Sequence, residues 1–153
     1  MTTVSCVIRR DRCLNPWSWI DVLARFQCMD QLSTKSEVAN CLSAAKQAVD
    51  EVFTCSIVVA ELLYGCIRSM RPAIHRAKVE ALILPYDCLP FDEGAAEQFA
   101  KLRYNLELLG TPIGPYDLQI AAIALTRSCT LVTHNTSEFS RVSGLNLEDW
   151  ELP

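Results

Sequence analysis

The chain has 153 residues, half of them apolar and 21% charged, which is long enough to bury a hydrophobic core. We predict one domain over residues 1–153. No stretch approaches the roughly 20 uninterrupted apolar residues of a membrane span, and no apolar segment follows the N-terminal arginines. These features predict a soluble cytoplasmic protein without membrane contact. The net charge of −4 argues against broad electrostatic binding of polynucleotides, which would require a local basic surface or a second subunit.

The eight cysteines predict neither a disulfide framework nor a zinc site. The chain is larger than the small secreted domains that disulfides hold together. It contains no Cys-x-x-Cys pair, and neither His75 nor His134 lies at metal-ligand spacing from a cysteine. We therefore interpret the cysteines as reduced and mostly structural.

The regular elements begin only after an atypical N-terminal segment. Residues 1–27 have no clean apolar period, whereas residues 36–49 have the spacing of an amphipathic helix. The β-branched stretch 52–59 predicts a buried strand. Further along, the pattern predicts helices over 60–67, 73–84, 93–109 and 116–126 and strands over 130–133 and 145–147. Strands that alternate with helices indicate an α/β domain with a mainly parallel sheet.

The longest predicted helix has a signal at each end. Asp92 is a plausible N-cap for the helix over 93–109, because a short carboxylate can accept hydrogen bonds from free amides of the first turn. Gly110 is placed to end it as a glycine after a helix does.

Two acidic residues stand at the starts of predicted helices. Glu61 follows the strand over 52–59, and Asp117 lies in the first turn of an almost entirely apolar helix. Ligands bind at the carboxyl ends of parallel strands, and carboxylates collected there repel one another unless a cation such as Mg²⁺ neutralises them. Such an ion can activate water and stabilise charge on a scissile phosphate. From the residues alone, Glu61 could equally be an ordinary first-turn acid and Asp117 an ordinary cap.

The segment from residue 51 to the end resembles the VapC-type PIN-domain toxins. The matching stretches, in chain order, are SIVVAELLYG (56–65), LPFD (89–92), GTPIGPYD (110–117), LVTHNTSEFSRV (131–142) and LNLEDW (145–150). The resemblance implies an α/β/α sandwich with a central, mainly parallel sheet. It also implies an endoribonuclease that uses Mg²⁺ or Mn²⁺ to hydrolyse phosphodiester bonds in RNA, often tRNA or rRNA. A VapB-like antitoxin would neutralise it, and a homodimer is expected.

The resemblance assigns roles to four residues of the matching part. Asp117 would be a direct metal ligand, and Glu61 would hold a metal-bound water or a second ion. Asn135 would be a neutral, weaker ligand, and Glu138 would act through a water. Arg127 and Arg141 could contact phosphate, and we assign no role to His134.

The first acid of the family pattern has no clear counterpart. It normally lies in an N-terminal hydrophobic strand followed by Leu-Asp-Thr-Asn, a string that this sequence lacks. The nearest remnant makes Asp30 the candidate catalytic and metal-binding residue, although Asp30 could equally be a surface acid. Tyr116 is a second departure, since the family usually has Asn before this Asp. The alternative function is therefore a catalytically inactive PIN-fold remnant that only binds an antitoxin, or a chain whose residues 1–27 are not functional.

Overall fold

The strands of the computed structural model form one five-stranded sheet with the order β3-β2-β1-β4-β5. The structure describes residues 6–10, 51–133 and 135–149. Its elements are β1 (Cys6–Arg10), β2 (Glu51–Cys55), α1 (Ser56–Arg68), α2 (Pro72–Ile83), β3 (Asp87–Leu89), α3 (Glu93–Leu108), α4 (Pro115–Thr126), β4 (Thr130–Thr133), α5 (Thr136–Phe139) and β5 (Leu147–Glu148). The predicted α/β class is confirmed.

The sheet is parallel except for its central strand. β2 pairs in parallel with β3, and β4 with β5, because a helical connection returns the chain to the same end of the sheet. β1 runs antiparallel to both of its neighbours, with Ile8 opposite Phe53 on one side and Leu131 on the other. Four of the five described strands therefore point in one direction. The prediction of a mainly parallel sheet is confirmed, with β1 as the strand that departs from it.

Helix α4 lies in the centre of the hydrophobic core. Seven of its 12 residues are buried, including Asp117 in the first turn. The sequence after Asp117 is apolar on all sides, as expected for a helix that is surrounded by other elements. Its neighbours in the core include Ile8 of β1, Leu102 of α3 and Phe139 of α5. Any polar group at the start of α4 is therefore held rigidly at the edge of the core.

The predicted boundary between the strand and the helix around residue 56 was wrong. The strand β2 ends at Cys55, and α1 begins at Ser56 instead of at residue 60. The β-branched run after Ser56 favours a strand locally, but Val58 is buried in the main core from a helical position. Tertiary packing has overridden a weak propensity. Glu61 consequently lies in the second turn of α1 and does not open the helix.

Both predicted ends of the long helix are confirmed. The carboxylate of Asp92 accepts a hydrogen bond from the Ala95 amide at 3.0 Å, and α3 begins at the next residue, Glu93. Gly110 follows the helix with a φ of +68°, a left-handed conformation that glycine adopts without a steric cost. The two signals therefore locate α3 to within about a residue.

The N-terminal segment contributes more than its sequence indicated. Five residues of the atypical segment 1–27 form β1 and lie at the middle of the sheet, where Ile8 is 1% exposed. The predicted helix over 36–49 lies outside the residues that the structure describes. Within the described ranges, no helix is long and apolar enough to cross a membrane.

Cys55 and Cys66 are buried free thiols, and Cys88 is an exposed one. Cys129 is buried as well. Burial raises the pKa of Cys55 to about 11, so its sulfur is a protonated, unreactive thiol at neutral pH.

Candidate active site

Asp117 is positioned by the way in which α4 begins. Gly114 is the N-cap, and Pro115 supplies the fixed φ that suits a first helical position. The Leu118 amide donates to the Gly114 carbonyl at 2.9 Å and closes the first turn. Because the helix enters the core at this point, the side chain of Asp117 is only 7% exposed.

Two carboxyl groups from two other helices act on the carboxyl of Asp117. Burial is the largest cause that raises the pKa of Asp117 from 3.8 to about 6. Repulsion by Glu138 of α5, a hydrogen bond with the same residue and repulsion by Glu61 of α1 raise it further. A hydrogen bond between two carboxyl groups requires a proton on one of them, so protonated Asp117 donates to the carboxylate of Glu138. The site thus gathers more negative charge than its surroundings stabilise.

Glu138 is held by a short helix that is anchored in the core. The helix α5 has four residues, and its last one, Phe139, is fully buried. The amides of Glu138 and Phe139 both donate to the Asn135 carbonyl at 3.3 Å, while the Asn135 amide donates to Oγ1 of Thr133 at 3.1 Å. The segment after β4 therefore forms a compact turn that presents Glu138 to Asp117.

Asn135 contributes an unsatisfied donor beside this turn. Its side-chain oxygen accepts from Oγ of Ser137 at 3.5 Å, whereas its buried Nδ2 has no hydrogen-bond partner. A buried donor without a partner costs about 1–3 kcal/mol, so an acceptor oxygen from a bound molecule would relieve it. The predicted role of Asn135 as a weak ligand stays a prediction.

Gly114 leaves space for the Asp117 carboxylate. A Cβ atom at Gly114 would lie 3.3 Å from Oδ2 of Asp117, closer than nearly all such contacts in proteins. Gly114 therefore has a role in the site that its place in a Gly-Pro turn alone did not reveal.

Nη1 of Arg141 donates to the Pro112 carbonyl at 3.2 Å and ties the segment after α5 to the turn before α4.

The two arginines that could have contacted phosphate are used in other ways. Arg127 forms an ion pair with Asp92, the cap of α3, and Arg141 makes the carbonyl contact described above. Both side chains are partly exposed, but their observed partners belong to the scaffold. The structure gives neither arginine a place at the carboxylates.

The donor set of the site fits a hard divalent cation in its chemistry. Carboxylate oxygens are the ligands that Mg²⁺ and Mn²⁺ prefer, and their crowding around Asp117 is relieved by positive charge. Within residues 6–10, 51–133 and 135–149, however, no three His, Cys, Asp or Glu side chains already form a closed metal cluster. Metal binding would require the carboxylates to draw together or another ligand to join them.

The predicted site residues thus fall into two groups. The structure brings Glu61, Asp117 and Glu138 together, and Asn135 lies at the start of the same short helix as Glu138. Asp30 and His134 lie outside the described residues, so the role of Asp30 stays a prediction. The sequence did not reveal that Glu138 contacts Asp117 directly. The available signal was the apolar Phe139 beside it, which anchors α5 in the core.

The similarity of this chain to known proteins identifies its family. The PIN domain profile matches residues 32–145. The chain belongs to the PIN-domain family, in its VapC group. It is 40% identical over 95 residues to the tRNA(fMet)-specific endonuclease VapC of Shigella flexneri, covering 62% of this chain and 72% of that protein. It is 36% identical over 96 residues to ribonuclease VapC2 of Rickettsia felis, covering 63% of this chain and 72% of that protein.

Solved structures agree with this assignment. A chain of VapBC2 from Rickettsia felis, bound to a DNA fragment from its promoter, has a TM-score of 0.68 and 32% identity and covers 81% of this chain and 93% of that chain. A chain of DNA-bound VapBC from Salmonella typhimurium has a TM-score of 0.62 and 41% identity. The match covers 63% of this chain and 73% of that chain. Both likenesses support the family assignment at the level of the fold and the sequence.

Proposed function

We propose that this chain is a metal-dependent endoribonuclease toxin that hydrolyses phosphodiester bonds in RNA. The observation that carries the proposal is the buried carboxylate of Asp117, which two further acids, Glu138 and Glu61, approach from separate helices. Repulsion between carboxylates does not stabilise a fold. A cation-dependent reaction, in contrast, needs carboxylates that are held near one another. The relatives named as ribonucleases support the same reaction.

The roles follow from where the side chains lie. Asp117 and Glu61, with Asp30, would hold Mg²⁺ or Mn²⁺, which when bound activates water and stabilises charge on the phosphate. Asp117 sits on the helix at the centre of the core and fixes the position of the site. Above a pH of about 6, the carboxyl of Asp117 loses its proton and becomes able to act as a ligand. Asn135 would be a neutral, weaker ligand beside it.

The partners in this proposal are an RNA, such as a tRNA or rRNA, and a VapB-like antitoxin. Similar chains occur in solved VapBC complexes, which supports an antitoxin partner. We also propose a homodimer and a cytoplasmic location. The free thiols at Cys55, Cys66 and Cys88 suit a reducing compartment.

Growth inhibition tests the proposal in cells. The full chain, expressed in bacteria without an antitoxin, should arrest growth, and Asp117→Ala should abolish the arrest at equal soluble protein level. Asp87→Ala is the matched control, because it removes one exposed carboxylate from β3 far along the chain from the site. Undiminished arrest by Asp117→Ala would contradict this mechanism.

A second candidate function is an inactive PIN-fold remnant that only binds an antitoxin. The observation that favours it is the missing Leu-Asp-Thr-Asn string, and the central strand β1 (Cys6–Arg10) supplies no acid in its place. Titration calorimetry with Mn²⁺ separates the two candidates. An active site should bind Mn²⁺ in a way that Asp117→Ala removes, whereas a remnant should show no such binding.

A further inference from the structure

The hairpin of α1 and α2 carries a local excess of positive charge. Between Glu61 and Glu80 the sequence contains four basic residues and no acid, although the whole chain has a net charge of −4. The four are Arg68, Arg71, Arg76 and Lys78. An acidic protein with one such segment has a surface on which a polyanion can bind.

Most of these cations are available to a ligand. All four side chains are exposed. Arg76 is paired with Glu80 at 2.7 Å on the same helix, but no carboxylate of the described residues lies within ion-pair distance of Arg68, Arg71 or Lys78. Because the region is not neutralised by its own acids, its field extends into solvent.

One face of α1 joins this basic region to the candidate active site. Glu61, Tyr64, Gly65 and Arg68 follow one another at the spacing i, i+3, i+4, i+7, which places them on one side of a helix. The seven residue steps from Glu61 to Arg68 span about 10 Å along the helix axis. A single polynucleotide strand could therefore contact the acidic site and the basic tip at once.

The middle of this face can stack a base. The ring of Tyr64 is 56% exposed, and Cζ of Arg68 lies 5.7 Å from its centroid, in a cation–π contact. A Cβ atom built at Gly65 would meet nothing within 4 Å, so the surface beside the ring is open. An exposed ring next to unpaired arginines is the combination with which proteins bind single-stranded nucleic acid.

We propose that this face of α1 binds the single-stranded RNA on one side of the cleaved bond. A base stacks on Tyr64, and Arg68 and Arg71 contact the neighbouring phosphates. The inference rests on the proposed function and adds to it the surface that positions the substrate. It also meets the requirement, set by the acidic net charge, for a local basic surface. An acidic protein could also use this charge, and so it becomes an outcome of the test.

The test measures the binding of a short fluorescent single-stranded oligoribonucleotide to the full-length protein, in EDTA so that no metal-dependent cleavage occurs. Tyr64→Ala should weaken binding by about fivefold to 100-fold, whereas Tyr64→Phe should bind as the wild type does. Replacing Arg68 and Arg71 together by alanine should lower the slope of log K against log salt by about 1.4. The control replaces Lys101 and Arg103 of α3, which are more than 60% exposed, and should leave the slope unchanged.

Four results would overturn the inference. If replacing Arg68 together with Arg71 and replacing Lys101 together with Arg103 changed the salt slope equally, only net charge would matter for binding. Full RNA affinity in Tyr64→Ala would leave a surface for an acidic protein instead. If the wild type cleaves RNA but Arg68 and Arg71 are dispensable for binding, this inference fails alone and the proposed function stands. A wild type that neither binds nor cleaves RNA would contradict both.

Discussion

Replacing Asp117 by asparagine should stabilise the folded protein at neutral pH in the absence of divalent cations. The pKa of Asp117 is raised from 3.8 to about 6, so the folded state binds this proton more tightly than the unfolded state does. The wild type therefore loses stability as the pH rises through that range. The side chain is 7% exposed, and the shift corresponds to at most about 3 kcal/mol. Asparagine resembles the protonated form, since it is neutral and can donate to Glu138.

The assay is urea unfolding followed by far-ultraviolet circular dichroism, in EDTA, at a series of pH values from about 4 to about 8. The advantage of Asp117→Asn over the wild type should grow with pH and level off above a pH of about 6. Asp87→Asn removes an exposed carboxylate and controls for net charge. A stability difference that does not change with pH, or an Asp117→Asn variant less stable than the wild type at pH 8, would refute the reasoning.

Three further predictions follow from the same structure. Mg²⁺ at neutral pH should raise the melting temperature of the wild type but not that of Asp117→Asn, because the cation offsets repulsion at that carboxylate. Gly114→Ala should weaken Mn²⁺ binding in calorimetry by crowding Oδ2 of Asp117, whereas Gly65→Ala should leave it unchanged and stabilise the helix by about 0.5–1 kcal/mol. Arg127→Ala should lower the free energy of unfolding by about 1 kcal/mol, since it removes a half-exposed partner of the cap Asp92; an unchanged urea midpoint would contradict this role.

The fold class followed from local patterns that the tertiary structure leaves intact. The cap at Asp92 and the terminating Gly110 are set by neighbours along the chain, and the structure confirms both. The strand β4 (Thr130–Thr133) is confirmed as well. The start of α1 was predicted four residues too late, because burial of Val58 against the core outweighs the strand preference of its segment. Long-range pairing explains why the central position of β1 could not be predicted either.

The candidate site was predictable only in part. Asp117 stood out because an acid at the head of an apolar helix is costly unless it has a use. The contact between Asp117 and Glu138 joins residues that are 21 positions apart, and it depends on how Phe139 anchors α5 in the core. No local pattern encodes such a contact. The roles of Glu61, Asn135 and Asp30 as ligands stay predictions.

RNA cleavage by the purified full-length chain tests the central claim most directly. The chain, free of antitoxin, is incubated with RNA in Mg²⁺ or Mn²⁺, beside a sample in EDTA and beside Asp117→Asn and Asp87→Asn. A metal-dependent ribonuclease should cleave in either metal, lose cleavage in EDTA and in Asp117→Asn, and keep it in Asp87→Asn. Cleavage that survives in EDTA or in Asp117→Asn, or no cleavage of any RNA by a well-folded wild type, would contradict the proposal.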